Sequence, residues 1–515
     1  MRACIGARKR ISAVLSATAA ALVLLHGDGA AAQELSTRTD PLSPLLPLPP
    51  GLRWPTDGQS GNGALRFPAT MLAQSNMAAP ATGATASEFG ADKSYVIPAL
   101  DILGFDFLLN RFNHQFSGRN DYDVTGATIR RNFRGGWVTD NDPFNVNQFG
   151  HPYQGSMYHG FARSAGLGYW EASAYTFVGS AAWEIAGERT RPSKNDQVAS
   201  GIAGSFLGEA LFRMASLVLE HGDGVPSFWR ELIAGSISPS TGFNRLAFGS
   251  RFDPIFSSHD APYYSRLQIG YSYTVQRAQG APSDINRNQA LADFSLQYGL
   301  PGKQGYEYTR PFDYFTFDAT ATTQDVFENF RTRGMLVGAP FGHGEESYRG
   351  IWGLFGSYDY IAPQTYRIST TALSLGSTVQ WWLSQTIALQ SSALLGLGYA
   401  AVGATRSHSD QDYNYGVAPQ AVLAARLIFD DRSALDATAW GYFVHGVGRG
   451  NDRIARADIS YTVRVYKQHG IALKYLWNRR DTNTIILGSS AQTNATVGLF
   501  WTYLGKDAFG AIDWR

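Results

Sequence analysis

The sequence is short of cysteine and of net charge, and each shortage excludes a class of protein. Its 515 residues contain one cysteine, Cys4, which lies in a predicted signal peptide. The mature chain is therefore predicted to have no disulfide scaffold and no thiolate metal site. Lys and Arg number 43 against 42 Asp and Glu, so the net charge is +1 and no nucleic acid partner is expected.

Long hydrophobic runs are also missing beyond residue 32. The most apolar stretch there, 198–219, is interrupted by Glu209 and Arg213. A membrane span in this part of the chain must then be a closed barrel, because lipid offers no hydrogen bonds to an open sheet.

Residues 1–32 have the pattern of a signal peptide. Four basic residues within 1–10 precede an apolar stretch at 11–25, and small residues lead up to Ala32. The apolar stretch is too short for a membrane anchor, so we predict export with cleavage near Ala32. Downstream, composition predicts a Pro/Ala/Gly-rich flexible linker at 33–90, a helical domain of unknown function at 94–240, an outer-membrane β-barrel at 264–505 and a tail at 506–515.

The residues that are plentiful are those that strands and turns require: 55 Gly, 30 Phe, 26 Tyr and 12 Trp. From about residue 265 apolar and polar residues alternate, most clearly at 266–276 and 456–465, and about twelve such segments can be counted. This pattern predicts an all-β transmembrane barrel of about 12 antiparallel strands, preceded by a small α-helical domain, so that the chain is α+β overall. Alternation alone leaves a soluble β-sandwich open.

Loop lengths favour the barrel. The predicted connections after strands 6, 8 and 10 are short, whereas those after strands 1, 7, 9 and 11 (277–288, 401–414, 446–452 and 478–491) are longer. Short periplasmic turns and longer extracellular loops are typical of outer-membrane barrels. We therefore predict location in the outer membrane of a Gram-negative bacterium, with the helical domain on the periplasmic side or within the barrel as a plug.

Two further sets of residues belong to the predicted barrel. The segment with Thr496, Gly498, Trp501 and Tyr503 resembles the β-signal through which the barrel-assembly machinery recognises its substrates, although residues 506–515 follow it. The polar phase of the strands should face the lumen, where mixed charges predict a cross-linked bore; its residues are Asp293, Asp318, Arg426, Asp436, Arg456, Asp458, Arg464 and Lys474.

Between residues 153 and 219 the period changes to that of helices, predicted at 153–165, 169–188 and 193–219. Ser193 and Asp196 form a capping signal for the third helix. Its glycines Gly201, Gly204 and Gly208 make a smooth stripe against which another helix can pack closely.

Four short motifs stand in order in this region: N-Q-x-x-H-P-Y-x-G from Asn147, W-E-x-x-x-E from Trp183, P-S-x-N-D from Pro192 and G-E-x-x-x-R from Gly208. This arrangement, followed by a barrel, resembles an uncharacterised family of bacterial outer-membrane proteins with a domain of unknown function, over about 137–213. The resemblance implies no activity. A looser pattern similarity links His151, Glu184/Glu188 and Asp196, with Gly201 and Gly204, to VanZ-like helical membrane proteins.

The same region holds the candidate catalytic residues His151, Glu184, Glu188 and Asp196. Glu184 and Glu188 share a helix face, where two carboxylates repel unless something compensates. A hairpin that brings in His151 and Asp196 would give nitrogen and oxygen ligands for a divalent metal, or a general base with its orienting carboxylate. The supporting residues are Asn147, Arg163, Lys194, Glu209 and Arg213, of which Arg163 or Lys194 could compensate the glutamates.

The competing interpretation is structural: Asp196 caps a helix, Glu209 and Arg213 form an ordinary i, i+4 pair, and arginines satisfy Glu184 and Glu188. Neither H-E-x-x-H nor G-x-S-x-G occurs.

The sequence is consistent with three functions. The leading one is binding or translocation of envelope lipid or polymer, with outer-membrane lipids as partners. The alternatives are an enzyme that hydrolyses or transfers on lipid head groups or lipopolysaccharide, and a structural anchor for periplasmic partners. No cofactor is required, although the cluster could hold a divalent metal.

Overall fold

The computed structural model describes residues 86–87, 90–118, 120–222, 225–278, 284–324, 326–342, 347–363, 365–403, 411–446, 450–484, 488–506 and 509–510. The predicted signal peptide, nearly all of the predicted linker and most of the predicted tail lie outside the described residues. The short strand Ala86–Ser87 pairs in parallel with Ile255–Phe256.

Twelve antiparallel strands close into a barrel, which confirms the predicted fold class. Each strand pairs with its sequence neighbours, and the last pairs with the first, where Trp501 lies opposite Ile269. The strands are β1 Tyr263–Ala278, β2 Ile285–Tyr298, β3 Phe315–Thr322, β4 Asn329–Phe341, β5 Tyr348–Ile361, β6 Arg367–Trp382, β7 Ile387–Gly403, β8 Tyr413–Phe429, β9 Ser433–Gly446, β10 Gly450–Tyr466, β11 His469–Thr484 and β12 Gly488–Leu504.

Side chains alternate between an apolar outer wall and a closed lumen. On β5, Trp352 is 58% exposed, whereas Phe355 and Asp359, on the opposite phase, are buried and line the bore. On β7, Leu397 on the outer phase is likewise 58% exposed. A soluble sandwich would bury this phase in a core, so the exposed apolar wall is that of an outer-membrane barrel.

The lumen is cross-linked by ion pairs. Asp436 accepts from Arg266 at 3.0 Å and from Arg426 at 2.6 Å, and Asp293 lies 3.5 Å from Lys474. Of the other predicted lumen residues, Asp318 faces Arg331 at 3.7 Å and Arg456 donates to Asn478. Arg464 pairs with Asp431 at one rim of the barrel. Asp458 lines the central cavity. That cavity measures about 120 Å³.

Seven α-helices are described before the barrel: α1 Val96–Phe116, α2 Gly126–Arg134, α3 His151–Ser164, α4 Tyr169–Ala186, α5 Lys194–Glu220, α6 Phe228–Ile237 and α7 Pro239–Phe248. The three predicted helices correspond to α3, α4 and α5, and the other four are not predicted. Of the described helices, α5 alone is long and apolar enough to cross a membrane, but 89% of its most apolar window is buried inside the protein.

These helices pack against the outer wall of the barrel. The ring of Phe206 on α5 covers Gly356 of β5, and the hydroxyl of Tyr358 donates to the backbone oxygen of Gln148 at 2.6 Å. Gly356 and Tyr358 share the outward phase of Trp352. No described helix residue lines the central cavity. The expectation of a plug is therefore wrong for the described residues, because the apolar helix faces pack on the apolar wall outside the barrel, whereas strand side chains line the cavity inside it.

The glycine stripe on α5 explains the close contact of α3 with α5. A Cβ atom on Gly204 would lie 2.6 Å from the Cα atom of Gly155, and one on Gly208 would lie 2.6 Å from the Cβ atom of His159. Gly201 instead faces the ring of Phe177 on α4. Backbone can thus approach backbone only because these positions lack side chains.

The predicted alternation of loop lengths is wrong in part. β11 ends at Thr484 and β12 begins at Gly488, and β9 and β10 are likewise separated by only three residues, 447–449. The longest connection, 299–314, lies at the end predicted to have short turns. The polar ends of the strands continue the sheet beyond the apolar belt, so composition there indicates loop although the backbone is paired.

Candidate functional site

Three helix ends meet where the helices contact the barrel wall. His151 begins α3, Glu184 lies in the last turn of α4, and Asp196 lies in the first turn of α5. One ligand-type atom from each of these side chains lies within 4.8 Å of the other two, and all three residues are buried. Nε2 of His151 lies 3.7 Å from Oδ2 of Asp196. Three of the four predicted catalytic residues are thus brought together.

Each member of the cluster is oriented by one hydrogen bond. Nδ1 of His151 lies 3.2 Å from the hydroxyl of Ser200, and Oδ1 of Asp196 accepts from Nδ2 of Asn195 at 3.0 Å. Oε2 of Glu184 accepts from the backbone N–H of Ser193 at 2.8 Å. Oε1 of Glu184 is buried and has no hydrogen-bond partner.

Glu188, the fourth predicted catalytic residue, is held differently. Its two carboxylate oxygens accept from the indole of Trp183 at 2.9 Å and from the hydroxyl of Thr190 at 3.0 Å. Burial raises the pKa of Glu188 to about 7. Both oxygens therefore have local partners, and Glu188 takes a structural role beside the cluster.

The N-cap of α5 supplies part of this geometry. The hydroxyl of Ser193 accepts from the backbone N–H of Asp196 at 3.2 Å, which is the predicted cap. The Asp196 carboxylate does not complete a capping box in return. It points toward His151, so the same short turn both starts a helix and presents an acid to the cluster.

The barrel wall closes the site from one side. Tyr413 and Tyr415, at the start of β8, point outward, and their hydroxyls lie 3.0 Å from Nδ2 of Asn147 and 2.7 Å from Nδ2 of Asn195. The carboxylate of Asp140 accepts from both asparagines at 2.7 Å. The predicted supporting residue Asn147 therefore joins helix and barrel at the edge of the cluster.

The other predicted supporting residues lie elsewhere. Arg163 does not compensate Glu184. It binds Glu209, which also accepts from Arg213 at 2.8 Å and faces His159 at 3.1 Å, all of them buried. Arg213 continues to Asp313, in the connection between β2 and β3, at 3.0 Å. The side chain of Lys194 is exposed. Glu209 and Arg213 are thus more than an i, i+4 pair, since they tie the helices to the barrel.

The two buried glutamates of the helices therefore differ in charge balance. Glu209 has two arginines within 2.8 Å, whereas the described surroundings of Glu184 contain His151 and a second acid, Asp196. Arg189 and Arg191, two further candidates to neutralise the cluster, are exposed. Burying two carboxylates without a matching cation costs folding free energy, so binding of a cation or of protons would stabilise the cluster.

The family model described as "Domain of unknown function (DUF3943)" matches residues 136–240. This stretch contains α3, α4, α5 and α6, and therefore every member of the cluster. No match was found among curated proteins.

Several solved structures are similar to part of this chain. They include the outer membrane channel DcaP of Acinetobacter baumannii (9% identity, 48% of this chain and 97% of that one, TM-score 0.23), the translocator domain of the autotransporter NalP from Neisseria meningitidis (12%, 47% and 88%, TM-score 0.22) and an anion-selective porin from Comamonas acidovorans (8%, 48% and 100%, TM-score 0.20). Similarity at this level carries no argument about function.

Sequence reasoning missed the partners that complete the site. Ser200, Asp140 and the two wall tyrosines Tyr413 and Tyr415 are not among the predicted residues. Ser200 lies one helical turn after Asp196, so helical spacing could have placed it beside the cluster. The tyrosines carry no such signal, because they stand more than 200 residues away in the sequence.

Proposed function

We propose that this chain is an outer-membrane protein whose helices lie beside the barrel at the depth of the lipid, and that these helices, not the bore, bind outer-membrane lipids. The observation that carries the proposal is the outer surface of α1. Its large apolar side chains are 55–67% exposed, although the opposite side of the helix packs on the protein; they are Val96, Leu100, Leu103, Phe107, Leu108, Phe112 and Phe116.

The exposed surface is extensive. The 21 residues of α1 give a length of about 31 Å at about 1.5 Å per residue, so the exposed apolar side chains are spread over most of that length. Exposed apolar side chains of this extent are an aggregation hazard in water and are ordinary in lipid. Large apolar side chains are also exposed on α6 and α7, namely Phe228, Trp229 and Leu246.

The bore does not support transport. Ion pairs between strands cross it, and the cavity they leave is about 120 Å³. Mixed charges that satisfy one another give neither an open path nor a ring of one sign for selecting ions.

The site lies at the end of the barrel away from the chain termini. β8 begins there with Tyr413, whereas β1 begins and β12 ends at the opposite rim. In an outer-membrane barrel the termini of an even-stranded sheet face the periplasm. The cluster would then stand at the level of the outer leaflet, where the lipid is lipopolysaccharide.

Spin labelling tests the placement, and the absence of cysteine from the predicted mature chain makes single labels simple. We expect a label at Leu103→Cys, in the full-length protein in vesicles, to be accessible to oxygen and shielded from a water-soluble nickel complex. Leu397→Cys on the outer wall is the lipid-facing control, and Lys467→Cys in a turn is the aqueous control. A label at position 103 that behaves like the one at 467 would refute the placement.

An enzyme acting on lipid head groups is a second candidate, favoured by the unpartnered Oε1 of buried Glu184 beside His151. A carboxylate and an imidazole within 4.8 Å of each other can share general acid and base roles in hydrolysis or transfer. Mass spectrometry of outer-membrane lipids from a deletion strain tests it. Wild type and Glu188→Gln should restore any changed lipid, and Glu184→Gln, folded and inserted, should not. Equal restoration by all three would exclude catalysis by Glu184.

We also propose that the barrel-assembly machinery recognises β12. Thr496, Gly498, Trp501 and Tyr503 lie on this final strand, which closes the barrel against β1. Tyr503→Ala should lower the amount of folded barrel in the outer membrane, whereas Leu397→Ala should not. Equal amounts of folded protein from both would argue against recognition through this segment.

A further inference from the structure

We propose that His151, Glu184 and Asp196 bind one divalent transition-metal cation, of which Zn²⁺ is the best match. The inference does not rest on lipid binding, because the ion is detected directly whether or not a lipid is bound. It rests on the geometry of three side chains, each at the end of a different helix, whose ligand atoms lie within 4.8 Å of one another.

The distances suit a shared ion. Two ligands at about 2.1 Å from one cation are about 3.4 Å apart in tetrahedral geometry. Nε2 of His151 and Oδ2 of Asp196 are 3.7 Å apart, too far for a hydrogen bond and close to this ligand spacing. The widest pair in the cluster needs to close by little more than an ångström.

The outer partners leave the inner atoms available. Ser200, Asn195 and Ser193 bind Nδ1 of His151, Oδ1 of Asp196 and Oε2 of Glu184, in that order. The second atom of each side chain is the one that remains for the ion. Metal-binding histidines and carboxylates are typically fixed in this way by a hydrogen bond on the far side.

Oε1 of Glu184 is the independent observation that points to a ligand. Glu184 is 2% exposed, and this oxygen has no hydrogen-bond partner. A buried carboxylate oxygen without a donor is unstable unless it is protonated or bound to a cation. Arg163, the arginine expected from the sequence to compensate Glu184, is bonded to Glu209 instead.

The donor set selects the kind of ion. One imidazole nitrogen and two carboxylate oxygens are ligands that Zn²⁺ accepts in four-coordinate sites. Ca²⁺ and Mg²⁺ prefer six or more oxygens and bind imidazole poorly. Three protein ligands leave a fourth position for water or for an oxygen of a lipid head group.

Metal analysis of the full-length protein in detergent tests the inference. After dialysis against Zn²⁺ and removal of excess ion, we expect wild type to retain about one equivalent per chain, because the three protein ligands form one site. Glu184→Gln should lose the ion, although its side-chain oxygen can still accept from Ser193. The matched control is Glu188→Gln, which lies one turn away and should retain the ion. Ser200→Ala should weaken binding about tenfold or more by freeing the imidazole.

Folding is checked in each variant by far-ultraviolet circular dichroism and by heat-modifiable migration of the barrel. Where Glu184→Gln does not fold, Asp196→Asn and Ser200→Ala decide the question in its place. Substitution by Co²⁺ adds a visible absorption band that reports nitrogen and oxygen ligation. The inference is overturned if wild type retains no more Zn²⁺ than Glu184→Gln, or if Glu188→Gln loses the ion to the same extent.

Discussion

The same substitution at two buried glutamates should have different effects on stability. Glu209→Gln removes a charge that two guanidinium groups contact at 2.7 and 2.8 Å, in surroundings from which water is excluded. Glu184→Gln leaves no buried cation unpaired, because no lysine or arginine is bonded to Glu184 among the described residues. The perturbation is chemically identical, so the difference reports the charge balance of each site.

The magnitude follows from what each substitution leaves behind. Breaking a buried ion pair by removing one partner costs about 3–5 kcal/mol, because the other charge stays buried and uncompensated. At Glu209 two cations remain, although Arg213 keeps Asp313 at 3.0 Å, so we expect a loss near the lower figure of about 3 kcal/mol. At Glu184, in metal-free protein, glutamine keeps the bond from Ser193 and relieves repulsion, so the change should stay within about 1 kcal/mol of wild type.

Hydrogen exchange with a chelator present measures both effects. Amides in α3 and α5 should exchange about a hundredfold faster in Glu209→Gln, since about 1.4 kcal/mol corresponds to a tenfold change in the opening equilibrium. Amides in the barrel strands serve as the internal control. Equal protection of α3 and α5 in the two variants would refute the argument from charge balance.

Three other predictions concern packing, the wall contact and the bore. Gly204→Ala should lower the stability of the helices by about 1–3 kcal/mol, because its Cβ would meet the backbone of α3. Gly104→Ala has open space around it and should raise the stability by up to about 1 kcal/mol. Thermal unfolding of the two variants distinguishes these outcomes. Tyr415→Phe should cost about 1 kcal/mol, measured as increased hydrogen exchange at the start of α5. Wild type should show no steady conductance in planar bilayers, and Asp436→Ala, which leaves two lumen arginines unopposed, should conduct measurably.

The barrel could be predicted from sequence because its signal is local and repeated. The number of strands and the side of the sheet to which each side chain points both follow from the alternation of polar and apolar residues. The ends of the strands could not be predicted as well. Residues 478–484 are polar and were expected in a loop, yet they pair with β10 and β12. Ladder hydrogen bonds depend on the neighbouring strand, which composition does not record.

Not all of the helices could be predicted from the sequence. α3, α4 and α5 follow apolar spacing and a cap at Ser193, whereas α1 was assigned to no helix. Its apolar side chains face outward, so they do not form the single core-facing stripe that helix prediction looks for. A helix with exposed apolar side chains on one side and protein on the other looks irregular when one buried apolar face is assumed.

The proximity of the candidate residues could be predicted where chain connectivity constrains geometry. Glu184 and Asp196 are joined by one short turn between helices, so their proximity follows from the hairpin. Arg163 was expected to compensate the glutamates, yet it binds Glu209, because helix rotation decides which of two acids an arginine meets. Glu188 has the right chemistry and spacing, but Trp183 and Thr190 satisfy it.

The barrel wall holds the helices at two separate places. Asp313 at the end of the barrel near the termini and Tyr413 at the far end both hold the helices, so the wall fixes the helical region at two heights. A rigid attachment of this kind is unnecessary for a domain that only trails in the periplasm. It fits the proposal that the cluster of His151, Glu184 and Asp196 stands at a fixed depth in the membrane, with the barrel as its support.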